Sequence, residues 1–166
     1  MNLRTHASTF ISPLCDIEIS TKGSQIIIGK NSYIDSFVKF KAAGGLGNIE
    51  IGENVTINSG CVLYIGNGIK IGDNSMIAAN VTIAPVNHAF KNRDLLIAEQ
   101  GFSESKGGVI IGNDVWVGAG CTLLDGTNIG DGAVIGAMSL VNSKIEKYHY
   151  GFGNPFKVVG SRSSFN

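Results

Sequence analysis

Aliphatic residues return at every sixth position along most of this chain. From Ile28 it divides into IGKNSY, IDSFVK and FKAAGG, then IGENVT, INSGCV and LYIGNG from Ile51, then IGDNSM, IAANVT and IAPVNH from Ile71. After a gap the pattern resumes as IGNDVW, VGAGCT and LLDGTN from Ile111, followed by IGDGAV, IGAMSL and VNSKIE from Ile129. All fifteen first positions are apolar (ten Ile, two Leu, two Val and Phe40), and the second position is Gly in seven hexads. Fifth positions are small or β-branched, among them Ser32, Val55, Ser75, Val81, Val115, Thr127 and Ala133. Cys61 and Cys121 fall there too and read as small core residues.

A period of six matches neither an amphipathic helix at 3.6 nor a simple strand at 2. It fits a coil whose short strands each send one large side chain inward at a fixed place. Three hexads make a triangular rung of 18 residues, and stacked rungs bury an aliphatic ladder that no single rung could bury alone. Glycine is expected to supply the backbone freedom where the chain turns. The pattern predicts an all-β parallel coil of about five or more rungs over residues 28–146. Residues 1–27 are expected to form an irregular N-terminal cap, and 147–166 a C-terminal tail. Slips around Gly45–Glu50 and Ile69–Lys70 read as corner insertions.

The gap itself is the second feature. Residues 84–108, APVNHAFKNRDLLIAEQGFSESKGG, carry no hexad beyond His88. A loop of this length inside a compact domain is usually functional or disordered. This one mixes Phe90, Leu95, Leu96, Ile97 and Phe102 with Lys91, Arg93, Asp94, Glu99, Glu104 and Lys106, which predicts an ordered arm projecting from one corner. His88 stands at its root. An imidazole with an ordinary pKa near 6.5 suits proton abstraction at neutral pH. His6 lies in the N-terminal segment and His149 beyond the last rung, and neither is tied to the interruption.

Composition narrows the picture. Thirteen basic residues balance thirteen acidic ones, and charged residues make up 16% of the chain, which argues against nucleic acid or a polybasic membrane contact. No run approaches the length of a spanning helix, and the first twenty residues lack an apolar block of leader length, so the expected compartment is cytoplasmic. Three cysteines without CxxC spacing support neither a disulfide framework nor a zinc site. GNGIKIG lacks the GK[ST] ending and the strand–loop–helix setting of a phosphate loop. The three histidines are too dispersed to suggest a metal centre.

These hexads resemble the hexapeptide-repeat acyltransferase family, which folds as a left-handed parallel β-helix. From Ile51 to Arg162 the chain is similar to the branch of galactoside and maltose O-acetyltransferases and related polysaccharide acetyltransferases. The most specific stretches are IGDNSMIAANVTIAPVNHAF, VIIGNDVWVGAGCTLLDGTNIGDGAVIGAMSLV and GNPFKVVGSR. The resemblance implies acetyl-CoA as cosubstrate, no metal, and transfer of acetyl to a hydroxyl of a sugar or polysaccharide precursor. It implies His88 as general base, also close to the acceptor, and the Ala119 amide as an oxyanion donor. It places Asn58 on the acceptor, and Trp116, Gly118, Gly136, Ala137, Ser139, Lys157 and Arg162 along the donor groove. Met138 stands where the family has a small residue, and Asn142-Ser143 where it tends to have Thr-Lys. A homotrimer is implied, with His88 of one copy facing the Trp116 side of its neighbour. Two alternatives stay open: an amino-sugar N-acetyltransferase, and a non-catalytic β-helical scaffold. Asp94, Glu99, Glu104 or a backbone carbonyl are the candidates for orienting His88.

Overall fold

The computed structural model describes residues 3–163. They wind into a three-sided parallel β-helix. The first face stacks Leu3–Thr5, Ile26–Ile28, Ile49–Ile51, Ile69–Ile71, Val109–Ile111, Thr127–Ile129 and Lys144–Ile145. The second stacks Phe10–Ile11, Tyr33–Ile34, Thr56–Ile57, Met76–Ile77, Trp116–Val117, Val134–Ile135 and His149–Phe152, to which Lys157–Ser161 is added antiparallel. The third stacks Asp16–Ile17, Lys39–Lys41, Val62–Tyr64, Thr82–Ala84, Thr122–Leu124 and Leu140–Val141.

The first coil therefore begins at Leu3, inside the stretch expected to be irregular. Thr5, Ile11 and Ile17 pair in register with Ile28, Ile34 and Phe40. They already stand six residues apart, but Thr replaces the usual aliphatic and polar neighbours hide the beat.

All fifteen first-position side chains are buried, at 3% exposure or less. Cross-coil register puts like on like: Ile28 pairs with Ile51, Ile51 with Ile71, Ile71 with Ile111 and Ile111 with Ile129. Full burial of each such side chain contributes roughly 1.5–3 kcal/mol.

The two glycine-rich positions divide their work differently from the expectation. Second-position glycines do not turn the chain. A Cβ on Gly29 would lie 2.5 Å from the Gly52 carbonyl oxygen, and one on Gly118 2.5 Å from the Ala137 nitrogen, so these glycines let consecutive coils approach. The turn is made at the fourth position, which is left-handed at Asn31, Asn54, Asn74 and Asp114 on one corner, with φ between 54° and 59°. Asn and Asp tolerate this conformation better than other non-glycine residues. On the next corner the same position is Phe37, Gly60, Asn80, Gly120 and Met138, all with positive φ.

The third corner absorbs every change of coil length. First positions on the second and third faces stay six apart, as in Ile57 and Leu63 or Val117 and Leu123. Partners along the first face, Thr5, Ile28, Ile51, Ile71, Ile111 and Ile129, are separated by 23, 23, 20, 40 and 18 residues. The excess lies between the third face and the next first-face strand, and the largest excess is the arm.

Candidate active site

The first and second corners carry different chemistry. At the first corner, backbone amides at the third hexad position are capped from the following coil. Glu53 N–H donates to Asp73 Oδ1 (2.8 Å), Asp73 N–H to Asn113 Oδ1 (2.8 Å) and Asn113 N–H to Asp131 Oδ1 (2.9 Å). At the second corner the equivalent residues are Ala79, Ala119 and Ala137, whose methyl groups cannot cap anything. Among the described residues none of these three amides has a hydrogen-bond acceptor. Ala119 and Ala137 are also exposed, so the corner offers a column of fixed, open N–H donors. Gly118 and Gly136 precede the latter two and donate their own amides to Ile135 and Gly151.

Several residues expected at the site gather here. Asn58 sits on the same corner, one coil before Ala78, its Nδ2 donating to the Ile77 carbonyl (3.2 Å). Trp116 lies beside it on the second face, half-exposed between Met76 and Val134. The Ser139 hydroxyl is turned inward, donating to Gly136 O (2.6 Å) and accepting from Gly153 N–H (3.0 Å), while Ala137 and Met138 beside it are exposed. Lys157 is exposed and pairs with Phe152, one coil beyond Gly136. Arg162 is drawn to the first corner instead, where it donates to Asp114 Oδ2 (3.0 Å) and Gly132 O (2.8 Å).

His88 is elsewhere, four residues past the third-face strand Thr82–Ala84. The arm it opens is ordered by its own backbone. Ala89 N–H donates to Gly101 O (3.0 Å), Ser103 N–H to Asn87 O (2.8 Å), and the Ser103 hydroxyl to His88 O (3.1 Å). Farther out, Gln100 clamps the tip through Asn92 N–H, Asn92 O and Leu95 O. The exposed His88 ring leans on Phe102, with centroids 4.8 Å apart and planes at 36°. Neither ring nitrogen has a partner among the described residues. Asp94 is next to Arg93 and Glu99 caps Leu96 N–H, so neither acidic side chain orients the imidazole. Between the arm and the coil lies a concavity of about 1010 Å³, lined by His88, Phe90, Lys91, Gln100, Glu104, Leu124 and Asn142 among others.

One contact at this corner gave no signal in the sequence. Asp125, buried at 2% exposure, accepts from Lys106 N–H (2.8 Å), Gly108 N–H (2.9 Å) and Asn67 Nδ2 (3.1 Å). Its hexad, LLDGTN, shows only a turn-like DG. No group of His, Cys, Asp and Glu among the described residues could hold a metal ion. No helix among them is long and apolar enough to cross a membrane.

A three-faced coil of stacked hexads, interrupted once by an arm with a histidine at its root, defines a class of hexapeptide-repeat protein. The family models agree: residues 48–85 match the hexapeptide repeat of succinyl-transferase and residues 108–143 the bacterial transferase hexapeptide (six repeats). The chain belongs to the hexapeptide-repeat transferase family. It is 31% identical over 136 residues to the galactoside O-acetyltransferase of Escherichia coli, covering 80% of this chain and 62% of that one. It is 34% identical over 122 residues to a putative lipopolysaccharide biosynthesis O-acetyl transferase of Escherichia coli, covering 70% and 62%. It is 30% identical over 158 residues to a probable acetyltransferase of Mycobacterium tuberculosis, covering 95% and 51%. The chain thus spans between half and about 62% of the length of these relatives. Among solved structures, a mutant of the Bacillus cereus N-acyltransferase AntD, in complex with dTDP and coenzyme A, shares the fold. Its TM-score is 0.79 at 22% identity, over 97% of this chain and 84% of that one.

Proposed function

We propose that this protein is an acetyl-CoA-dependent acetyltransferase that modifies a hydroxyl of a sugar or polysaccharide precursor, with His88 as general base. The observation that carries the reading is the His88 ring. It is exposed at the root of the arm, both nitrogens are free to exchange a proton, and it borders a concavity large enough for a sugar. The relatives named as galactoside and lipopolysaccharide O-acetyltransferases support the substrate class.

In this reading His88 takes the proton of the acceptor hydroxyl as that oxygen attacks the thioester carbonyl carbon. The carbon–sulfur bond breaks, and the proton returns to the departing thiolate. The Ala119 amide meets the negative charge that develops on the carbonyl oxygen. Because the coil already fixes this donor, little reorganisation is needed in the transition state. The uncapped amides of Ala79, Ala119 and Ala137 suit a donor that brings its own acceptor groups. Gly118, Gly136 and Ala137 would line that donor beside Trp116, with Lys157 nearest the expected phosphates. Asn58 would hold an acceptor hydroxyl, since a side-chain amide both donates and accepts.

One chain cannot easily bring both halves together. Ala119 at the second corner and Leu124 at the far end of the third face are separated by that corner's turn and the strand Thr122–Leu124, at most about 16 Å of chain. His88 lies beyond Leu124's neighbour Ala84, on the far side of that face. Reacting atoms must come within about 3.5 Å. A homotrimer resolves this, with the arm of one copy reaching the Trp116 side of the next. The second face is suited to such burial: Phe10 stacks on Tyr33 at 4.9 Å, and Met76, Trp116 and Tyr150 continue an exposed apolar column. Closed symmetric assembly of this kind is the usual arrangement for identical subunits.

The test is thiol release from acetyl-CoA against a panel of sugars and amino sugars, beside His88→Ala. Loss of a general base should cost on the order of 10²–10⁴ in rate. Wild-type activity in that variant rules out the assignment of His88. Turnover only on amino sugars would move the acceptor from oxygen to nitrogen.

A further inference from the structure

Asp125 is a buried carboxylate, and no cation is paired with it among the described residues. Its Oδ1 accepts from Gly108 N–H, and its Oδ2 from Lys106 N–H and Asn67 Nδ2. Two of these three donors are main-chain groups of the arm, just before it re-enters the first face at Val109. A buried carboxylate is costly unless such donors surround it. Here they do, so the arm and the charge stabilise one another. At the other end of the same segment Phe102 lies against the His88 imidazole, and Ser103 bonds both Asn87 and His88 main-chain oxygens. Residues 102–108 are therefore held at one end by the coil and carry the His88 contact at the other.

We propose that Asp125 is a positioning residue for His88, acting through the 102–108 segment and Phe102. The inference rests on the reading of His88 as base. Both carboxylate oxygens are used, and they meet donors arriving from two directions. A side-chain amide offers one oxygen and turns its NH₂ toward another N–H. Asp125→Asn should thus release one end of the segment while preserving size and shape.

Three variants and three readouts test this. In NMR, the three histidines are assigned with His88→Ala, and the ring-current displacement of the His88 protons by Phe102 is measured. Asp125→Asn should move those resonances toward free imidazole and lower kcat by about 10²-fold, the cost of a misplaced catalytic group. Acetyl-CoA affinity, measured by calorimetry, should be unchanged, because the donor corner is on the other edge of the third face. Phe102→Leu changes an exposed side chain and leaves the coil folded. It should lower kcat by about tenfold with the same unchanged affinity. Unmoved His88 resonances with wild-type kcat in Asp125→Asn overturn the proposal. If that variant does not fold, wild-type kcat in Phe102→Leu overturns it. Full activity of His88→Ala refutes the base assignment instead, and the resonance shift then still decides whether Asp125 fixes the ring.

Discussion

Replacing Ser75 by alanine tests how the coils are fastened. Ser75 occupies a fifth hexad position and is fully buried. Its hydroxyl donates to the Gly112 carbonyl (2.9 Å) and accepts from Val115 N–H (3.1 Å), both on the next coil. Ser32 makes the same pair of bonds to Gly52 O and Val55 N–H. Alanine fills nearly the same volume but strands one main-chain donor and one main-chain acceptor out of reach of water. Each buried unsatisfied group costs roughly 1–3 kcal/mol, so Ser75→Ala should lose about 2–6 kcal/mol. Ser75→Cys should lose less, because Cys61 and Cys121 already use a thiol at this position to reach Ala78 O (3.1 Å) and Gly136 O (3.2 Å). The assay is urea unfolding followed by circular dichroism at fixed protomer concentration, with stability read from the midpoint at unchanged slope. A Ser75→Ala midpoint within about 0.5 kcal/mol of wild type would show that these hydroxyls are packing groups only.

Three further outcomes follow from the same packing. Ile77→Ala, at a wholly buried site between Ile57 and Val117, should cost about 2–5 kcal/mol in the same assay. Burial pushes the Cys61 thiol from its ordinary 9.0 up to about 11. The folded state then holds its proton more tightly than the unfolded one, so stability is full below pH 9 and falls as pH rises from 9 to 11. Cys61→Ala should flatten that alkaline decline in a Tm-against-pH series, and in the wild type Cys61 should react with a disulfide reagent only after unfolding. Met138 is 75% exposed with φ of 60°, a conformation costing a side chain of this type roughly 1–2 kcal/mol. Met138→Asn should therefore raise stability by about 1 kcal/mol in thermal melts, and a fall would mean that its contact over Gly120 matters more than the strain.

Much of this architecture was legible because a six-residue beat has one simple solution. The inward first positions, the small fifth positions and the interruption at His88 all appear in the sequence as departures from, or adherence to, that beat. The first coil was hidden because Thr5 stands where an aliphatic is expected, although Cys15 already occupied a fifth position and bonds Asp35 O. The division of labour between second-position glycines and fourth-position left-handed residues was not readable from composition, since both look like turn formers. Asn58, Trp116, Gly118, Ala119, Gly136 and Ala137 do gather along one edge and its neighbouring face. His88 stands across the third face from them, and Arg162 is held at the first corner. The role of Asp125 depends on main-chain amides 17 and 19 residues away, which no local pattern records.

The central claim is that the site is shared, with His88 from one copy completing the open-amide corner of another. Co-expressing His88→Ala with Ala119→Pro, each expected to be about 10²-fold or more slower alone, tests it directly, since proline removes the proposed oxyanion donor. Mixed oligomers isolated through two different tags should recover a substantial fraction of wild-type thiol release, because one interface would pair an intact histidine with an intact amide. Mixed oligomers that form but stay as inactive as either parent would place both groups in a single chain and contradict the account.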